Sequence, residues 1–302
     1  MSQFVKNGDQ KHKSRLIKAT KDFSKQLDSY TIKPSSKGVF GSKATVKCSS
    51  VTITSDNLDV EFDVNFDDDL EPNEASIVVY NLSDDTINKF KYRNKIAIEA
   101  GFNNDTGVVF TGYVDKVSTT YSGADKVTTI RCYDKVANDI LTEITYASGS
   151  SASYILRDLL ERTGIPIDVF NPRRDWTYED EQKVDGVLEE NIKRYSEVCG
   201  VSTFIKNGKI YSRHIKEGDN INFTISEDTG MIGSPSPYEE ELTAEDFKET
   251  INGFDVEMLL QHRISAGVIC NLKSLVANGQ YRVRSGSHSF NNGECITKVK
   301  LM

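Results

Sequence analysis

The chain has 302 residues, of which 37% are hydrophobic, and its formal net charge at pH 7 is −8. This length and apolar content fit two or three globular domains and exclude a disordered chain. A mean hydropathy of −0.45, with no apolar run near the ~18 residues of a spanning helix, excludes a membrane-embedded protein.

The charge is unevenly distributed along the chain. Residues 1–47 carry eleven Lys and Arg against three Asp, a balance of +8, so the other 255 residues carry −16. A short basic end on an acidic body indicates that the end contacts something acidic. The acidic body is a poor phosphate-binding surface.

Residues 1–40 are predicted to form a basic helical arm, because Leu16, Phe23 and Leu27 recur at helical spacing before Pro34 and Gly38. Six basic residues surround this apolar stripe: Lys11, Lys13, Arg15, Lys18, Lys21 and Lys25. The arm either packs on its own domain or docks on a partner. A membrane-surface helix fits less well, because the apolar face is narrow and lacks Trp.

The first residues contain no apolar segment, so we expect no secretory signal.

Residues 41–145 are predicted to form a first β-domain. Between Leu58 and Asp67, apolar residues alternate with polar ones, so a strand here has one apolar and one acidic face. The acidic face carries Asp59, Glu61, Asp63 and Asp67. Further strands are predicted at 75–80, 95–102, 107–119 and 126–133, with a short helix capped by Ser83 or Asp84 after the second strand. Short, evenly spaced strands indicate a sandwich or barrel.

Residues 146–219 are predicted to form a small α/β domain. One helix begins at Ser151 and ends before Gly164, and a second runs from Leu188 to Gly200. A two-residue turn at Asn207-Gly208 would pair Ile205 with Ile210 and Phe204 with Tyr211.

Residues 220–302 return to a β-pattern and are predicted to form a second β-domain. Strand candidates lie at 221–225, 254–260, 267–273, 280–284 and 294–300, and Asn278-Gly279 and Asn292-Gly293 predict two hairpins. The acidic stretch from Glu239 to Glu249 is predicted to be an exposed loop or short helix.

The sequence carries no marked catalytic motif. It has no phosphate-binding glycine loop, no nucleophile elbow and no HExxH zinc motif. Asp67-Asp68-Asp69 lacks the glycine and glutamate spacing of a calcium loop. Trp176 and Tyr178, beside Arg173 and Arg174, either stack a sugar or base or anchor the small domain's core.

The five cysteines are odd in number and widely spaced: Cys48, Cys132, Cys199, Cys270 and Cys295. They are read as small buried hydrophobes in a reducing compartment. His262 with Cys270, and His288 with Cys295, fit no recurrent zinc spacing. We therefore expect no enzymatic activity, no cofactor and no metal site.

Three short motifs occur in order within residues 72–117: Tyr80-Asn81-Leu82-Ser83, Ala100-Gly101-Phe102 and Phe110-Thr111-Gly112. With the stretches 228–237 and 253–289, they make the chain resemble the baseplate hub proteins of contractile phage tails. That family includes Mu-like and PBSX-like hubs and the late-control D proteins. The resemblance covers roughly residues 45–290.

The resemblance implies a mainly β (α+β) fold, with two tube-type β-barrel domains flanking the small α/β domain. It implies a homotrimer whose six barrels continue the tail tube. The partners would be the tail tube protein, central spike, baseplate wedge and tape-measure proteins, with DNA only passing through and no membrane binding. The chain would lie in the baseplate of a virion or bacteriocin particle assembled in the host cytoplasm. We expect no hydrolase or spike domain after the last predicted strand.

Two alternatives are a carbohydrate-binding or cell-wall-degrading tail protein and another tube-like tail adaptor. In the hub interpretation, Asp59, Glu61, Asp63 and Asp67 line the channel and repel passing DNA. The ordinary interpretation of this face is an outer sheet surface in water.

Overall fold

The computed structural model describes residues 41–135, 140–206, 208–244, 247–291 and 294–302. The predicted basic arm, with Lys11, Lys13, Arg15, Lys18, Lys21 and Lys25, lies outside these residues. The described chain is mainly β, which confirms the predicted fold class.

The elements are numbered in chain order. The first group is β1 Ser42–Cys48, β2 Val51–Thr54, β3 Val60–Phe66, β4 Glu74–Tyr80, α1 Asp84–Ile87, β5 Lys95–Phe102, β6 Asp105–Ser122 and β7 Asp125–Tyr133. The second is β8 Leu141–Tyr146, α2 Ala152–Arg162, β9 Ile167–Asn171, β10 Gln182–Val187, α3 Leu188–Cys199, β11 Ser202–Lys206 and β12 Lys209–Arg213. The third is β13 Asp219–Ile225, a 3-10 turn Glu227–Thr229, β14 Met231–Ala244, β15 Phe247–Leu259, β16 Val268–Lys273, β17 Asn278–Phe290 and β18 Cys295–Leu301.

The described residues form two compact units. One, here called the β-unit, comprises 41–67, 72–135 and 216–302, and the other, the α/β-unit, comprises 68–71 and 140–215. The predicted borders at 145/146 and 219/220 stay a prediction. Four residues that follow β3, Asp68–Glu71, belong to the α/β-unit, where the carbonyl oxygen of Asp68 accepts a 2.6 Å hydrogen bond from the Ser202 hydroxyl.

The first β-region of the β-unit consists of antiparallel strands in the order β3-β4-β7-β6-β5-β1-β2. Inner residues from all seven strands, among them Val46, Ile53, Ile77, Ile98 and Ile130, form a single buried cluster. The sheet therefore curls around one core. Ser83 caps α1 by accepting a hydrogen bond from the backbone N–H of Thr86, as predicted.

The second β-region continues the same sheet through β17, β18, β15 and β14, while β16 pairs with β17 and with β13. Its core is a separate cluster that includes Ile225, Met258, Ile264, Val283 and Leu301. β13 and β16 run parallel, an exception among these otherwise antiparallel pairs.

Two predictions about this region were wrong. Residues 239–244 and 247–249 of the stretch predicted to be a loop or helix are strand, because β14 pairs with β15 up to Ala244 and Phe247. Polar residues at successive positions hide the period of two that usually identifies a strand. The Asn278-Gly279 pair lies inside the β16–β17 ladder, and the turn falls at Ser274–Ala277, where the Ser274 hydroxyl oxygen accepts the Ala277 N–H.

Two strands join the two cores of the β-unit. β3 pairs antiparallel with β17 from Phe62↔Phe290 to Phe66↔Gly286. Phe62 lies in the first core and Phe66 in the second, whereas on β17 Val283 lies in the second core and Phe290 in the first. Each strand thus contributes to both cores. The two β-regions are therefore joined by shared strands and not by a linker.

The α/β-unit follows the predicted local signals. Ser151 caps α2 and Gly200 ends α3 in the left-handed conformation, with φ of +65°. Phe204 pairs with Tyr211 as predicted, with stacked rings 5.6 Å apart. Asn207, in the predicted turn, lies outside the described residues. The predicted hairpin at Asn292-Gly293 also falls on residues outside the description, between the paired strands β17 and β18.

Candidate assembly surfaces

The joint between β3 and β17 is reinforced by side chains on both faces of the sheet. On the inner face the rings of Phe62 and Phe290 stack at 5.6 Å, and those of Phe66 and His288 lie 4.9 Å apart. On the outer face the Ser289 hydroxyl donates a 2.7 Å hydrogen bond to Asp63. A stacked pair of this kind adds about 1 kcal/mol beyond its burial, so the joint is a specific contact.

An ion cluster forms a second contact between the two β-regions. Asp105, at the start of β6, accepts hydrogen bonds of 2.6 and 2.8 Å from Arg263 and one of 3.0 Å from His262 Nε2. Burial alone would raise the pKa of Asp105, but the hydrogen bonds from Arg263 and His262 hold it below its usual value. Burial lowers the pKa of His262, which leaves the ring neutral, with its Nε2 proton directed at the carboxylate.

Gly107 makes the approach of His262 possible. A Cβ at this position would lie 2.2 Å from His262 Nδ1, far inside contact distance. The backbone of β6 and the imidazole ring therefore pack directly against each other. The residue must be glycine because of this close approach, and not because of its backbone conformation.

His288 occupies a chain of buried hydrogen bonds behind the β3–β17 joint. Its Nε2 lies 3.1 Å from the Ile264 carbonyl oxygen and its Nδ1 2.8 Å from the Thr297 hydroxyl, which itself accepts the backbone N–H of Gln261. Since a carbonyl only accepts, Nε2 carries the proton and Nδ1 accepts from Thr297. Burial lowers the pKa of His288 to about 4. His288 is thus a neutral structural histidine.

The predicted acidic face is present on β3. Val60, Phe62 and Val64 are buried, while Glu61 and Asp63 lie on the opposite face, with Asp63 exposed. Asp59, just before the strand, is exposed, and Asp67, just after it, is partly buried. That these four carboxylates line a channel stays a prediction.

The surrounding sheet surface carries charges of both signs. Asp63 of β3 pairs with Ser76 of β4, and Ser76 pairs in turn with Arg131 of β7, so these three residues form one row across the sheet. Arg131 lies 3.9 Å from Asp115 and 4.0 Å from Glu74. The carboxylates of β3 therefore form one acidic strip within a mixed surface.

The residues that the sequence offered as candidates for chemistry lie in environments that are typical of structural residues. Burial raises the pKa of all five cysteine thiols, which disfavours the nucleophilic thiolate. Asp69 caps a turn by accepting the Glu71 N–H. Across the described ranges no three His, Cys, Asp or Glu side chains converge as metal ligands. No helix in the described part of the chain has the length and apolar content to cross a membrane.

The aromatic pair predicted beside Arg173 and Arg174 separates into two environments. Tyr178 packs at the edge of the α/β-unit core, with its ring 6.3 Å from that of Tyr195. Trp176 is 64% exposed and does not anchor that core.

A turn with two exposed apolar side chains projects from the β16–β17 hairpin. Leu275 is 99% and Val276 58% exposed. Ser274 holds the turn by accepting the backbone N–H groups of Val276 and Ala277. The side chains are therefore held in place by a defined turn.

Sequence reasoning missed the cluster of Asp105, His262 and Arg263. Asn103-Asn104-Asp105 reads as a turn and His262-Arg263 as part of a loop between strands. The two segments lie more than 150 residues apart, and no local pattern relates them.

The fold is that of phage tail proteins. The 43 kDa tail protein of prophage MuSo2 from Shewanella oneidensis superposes with a TM-score of 0.61 at 8% identity, covering 87% of this chain and 97% of that one. A tail protein from Neisseria meningitidis MC58 gives 0.59 at 8% identity, covering 87% and 96%.

A third structure is the E. coli c3393 protein, described as a type VI secretion component similar to the T4 tail proteins gp27 and gp5. It gives a TM-score of 0.55 at 10% identity, covering 85% of this chain and 76% of that one. No protein-family model and no curated protein sequence matches the chain.

Proposed function

We propose that this chain is a structural hub of a phage tail or tail-like particle, which joins the tail tube to the baseplate and spike. The observation that carries the proposal is the sharing of β3 and β17 between two cores. One chain thereby supplies two curved β-regions in a fixed relation. Three copies would supply six, the number needed to adapt a threefold spike to a sixfold tube.

The chemistry of the described residues supports a structural role. Two buried polar side chains of the β-unit are tied to the backbone or a neighbouring hydroxyl: Arg282 Nε donates to the Glu217 carbonyl oxygen, and His288 bonds to Ile264 and Thr297. The surface offers features suited to assembly, namely the exposed Leu275-Val276 turn and a mixed-charge sheet face. In this proposal the strip of Asp59, Glu61, Asp63 and Asp67 faces the channel, where its charge keeps DNA from adhering.

The test is to delete the coding sequence from a strain that makes the particle and to restore it in trans. A hub is required for assembly, so the deletion should yield no complete tails, with free tube and sheath components. A dispensable tail protein would leave complete particles that only adsorb poorly, and this outcome would contradict the proposal.

A second function is favoured by one observation, the exposed indole of Trp176 beside exposed Arg173 and Arg174. Such a group can stack on a sugar ring. The purified chain should then bind peptidoglycan or host polysaccharide, and Trp176→Ala should abolish the binding. Binding with release of soluble sugars would make the chain a wall-degrading tail protein instead of a hub.

A further inference from the structure

The segment between α1 and β5, residues 88–94, is a basic loop on an acidic protein. Residues 88–95 read NKFKYRNK, with four basic residues and no acidic one. Residues 48–302 carry −16 and this stretch carries +4, so the remaining 247 residues carry −20. Residues 88–94, here called the basic loop, therefore form a local positive charge that attracts negatively charged groups.

The backbone of the basic loop is fixed to the β-unit. Phe90 is only 5% exposed and packs in the first core. The Asn94 side chain donates a 2.9 Å hydrogen bond to the Lys89 carbonyl oxygen, and its backbone N–H donates to the Lys91 carbonyl oxygen at 2.9 Å. The Arg93 N–H donates a 2.7 Å hydrogen bond to a carbonyl oxygen of β6. The loop is thus a defined turn between a buried ring and a strand.

Arg93 adopts an unfavourable backbone conformation in this turn. Its φ of +65° lies in the left-handed region, which costs conformational energy for residues other than glycine. The other non-glycine residues with positive φ in the described ranges are three asparagines, which tolerate this region, and one serine. A long charged side chain held in such a conformation is typical of a binding site.

The side chains that project from the basic loop are exposed: Lys89, Lys91, Tyr92 and Arg93. Tyr92 is 65% exposed, and the Arg93 guanidinium lies 5.3 Å from the centre of its ring. Within the part of the chain that the structure describes, none of the three cations forms an ion pair. Seven other basic side chains of the β-unit do have carboxylate partners: Lys43, Lys47, Lys126, Arg131, Arg263, Arg284 and Lys298.

Carboxylates suit this group of side chains. The guanidinium of Arg93 can bind a carboxylate with two parallel hydrogen bonds, and the two ammonium groups act as point charges beside it. The exposed ring of Tyr92 offers apolar contact to a residue that lies between the carboxylates. Duplex DNA fits less well, because the acidic body repels a polyanion and three cations neutralise few of its phosphates.

We propose that the basic loop binds a short acidic segment of another protein of the particle, with Tyr92 packed against an apolar residue of that segment. The proposal takes from the proposed function only that the chain is part of a tail. It does not require the chain to be the hub. The deletion experiment and the experiment described next can therefore fail separately.

The test places a photo-crosslinking amino acid at Tyr92 in a bacterial strain that makes the particle, and a parallel variant carries it at Lys91. Purified particles are illuminated, and crosslinked peptides are identified by mass spectrometry. We expect one major product, which joins the loop to a segment of another protein with a net charge of about −3 or lower, enough to match the three cations. The same amino acid at Leu275, which is exposed on a different hairpin, is the control and should not capture that segment.

Charge reversal in the purified full-length chain gives the matched comparison. A labelled synthetic peptide with the captured sequence should bind the wild type, as measured by fluorescence anisotropy. Lys89→Glu with Lys91→Glu should weaken this binding about tenfold or more. Lys193→Glu with Lys273→Glu, which reverses two exposed cations elsewhere, should change it by less than about twofold.

Arg93→Gly separates binding from folding. Glycine adopts positive φ without strain, so this variant should unfold at a urea concentration no lower than that of the wild type while its affinity for the peptide falls. Capture only of copies of this chain, of DNA, or of segments without net negative charge would overturn the proposal. Complete particles with no product at either position would overturn it too, as would peptide binding that the reversal of Lys89 and Lys91 leaves unchanged.

Discussion

Arg263 holds the carboxylate of Asp105 with two hydrogen bonds, from Nη1 to Oδ2 at 2.8 Å and from Nη2 to Oδ1 at 2.6 Å. Asp105 begins a strand of the first β-region, and Arg263 lies in the loop that leads into β16 of the second. With the strands shared between two cores, this pair makes the β-unit a single body. In the proposed hub, this fixed relation would keep the two β-regions in their places in the ring.

The first prediction concerns the strength of this contact. Arg263→Met removes both charged hydrogen bonds but keeps an apolar stem, and it should lower the unfolding free energy of the β-unit by about 2 kcal/mol. The side chains of Arg263 and Asp105 are 22% and 28% exposed, so the loss of stability stays below that expected for a fully buried pair. Chemical denaturation measures it.

The control for that prediction is Lys43→Met, which breaks an exposed 4.0 Å pair with Asp56. It should cost less than about 0.5 kcal/mol. A double-mutant cycle of Arg263→Met with Asp105→Asn should give a coupling near 1 kcal/mol. Additive effects would mean that the two residues act independently and that the contact does not join the regions.

The second prediction tests the close approach at Gly107. Gly107→Ala would place a methyl group 2.2 Å from His262 Nδ1, so the ring must move and lose Asp105. We expect a loss of about 2–4 kcal/mol in unfolding free energy. His262→Ala combined with Gly107→Ala should be more stable than the sum of the two single losses predicts. Gly107→Ala with wild-type stability would contradict the packing.

The third prediction concerns pH. The folded pKa of His288, about 4, lies below the unfolded value of 6.5. Between these values the unfolded chain binds the proton more readily, so stability is full above pH 6.5 and falls as the pH drops toward 4. Burial raises the pKa of Asp134 to about 6, which acts in the opposite direction between pH 3.8 and 6.

Comparison of variants separates the two contributions. Between pH 7.5 and 4.5 the stability of His288→Gln should fall less than that of the wild type, by about 2 kcal/mol. Asp134→Asn should instead fall more steeply than the wild type. Urea denaturation at both pH values provides the measurement. Parallel pH profiles of wild type and His288→Gln would show that the histidine is not buried in its neutral form.

The fourth prediction concerns the acidic strip on β3. Replacing Asp59 and Glu61 together with Lys, with Asp63 kept for its hydrogen bond to Ser289, should leave particle assembly intact but slow DNA ejection, more strongly at low salt, where screening is weakest. Reversing Glu179 and Glu181 in the α/β-unit is the matched control and should have no effect. Normal ejection from the β3 variant would leave this strip as an ordinary outer surface.

Local rules predicted the local structure well. The alternation around Phe62, the caps at Ser83 and Ser151, and the pairing of Phe204 with Tyr211 all depend on residues a few positions apart. Their energies are set by backbone geometry and near neighbours, which a sequence displays directly. The family resemblance led to the mainly β fold that the structural comparisons support.

Features that depend on distant residues were not predictable. The Asp105–Arg263 contact joins the start of β6 to the loop before β16, two segments that no local pattern relates. In the same way, the alternation along β3 does not indicate that Phe62 and Phe66 lie in different cores. The acidic stretch that begins at Glu239 was misread, because glutamates at successive positions conceal a strand, 239–244, that is stabilised by pairing with β15.

The most direct test of the central claim is a cryo-electron microscopy reconstruction of the assembled particle at the junction of tube and baseplate. A hub built from this chain predicts three copies around a threefold axis along the tail, with the two β-regions of each copy forming a ring of six. Two or six copies at that position, or copies located only on the periphery of the baseplate, would contradict the account.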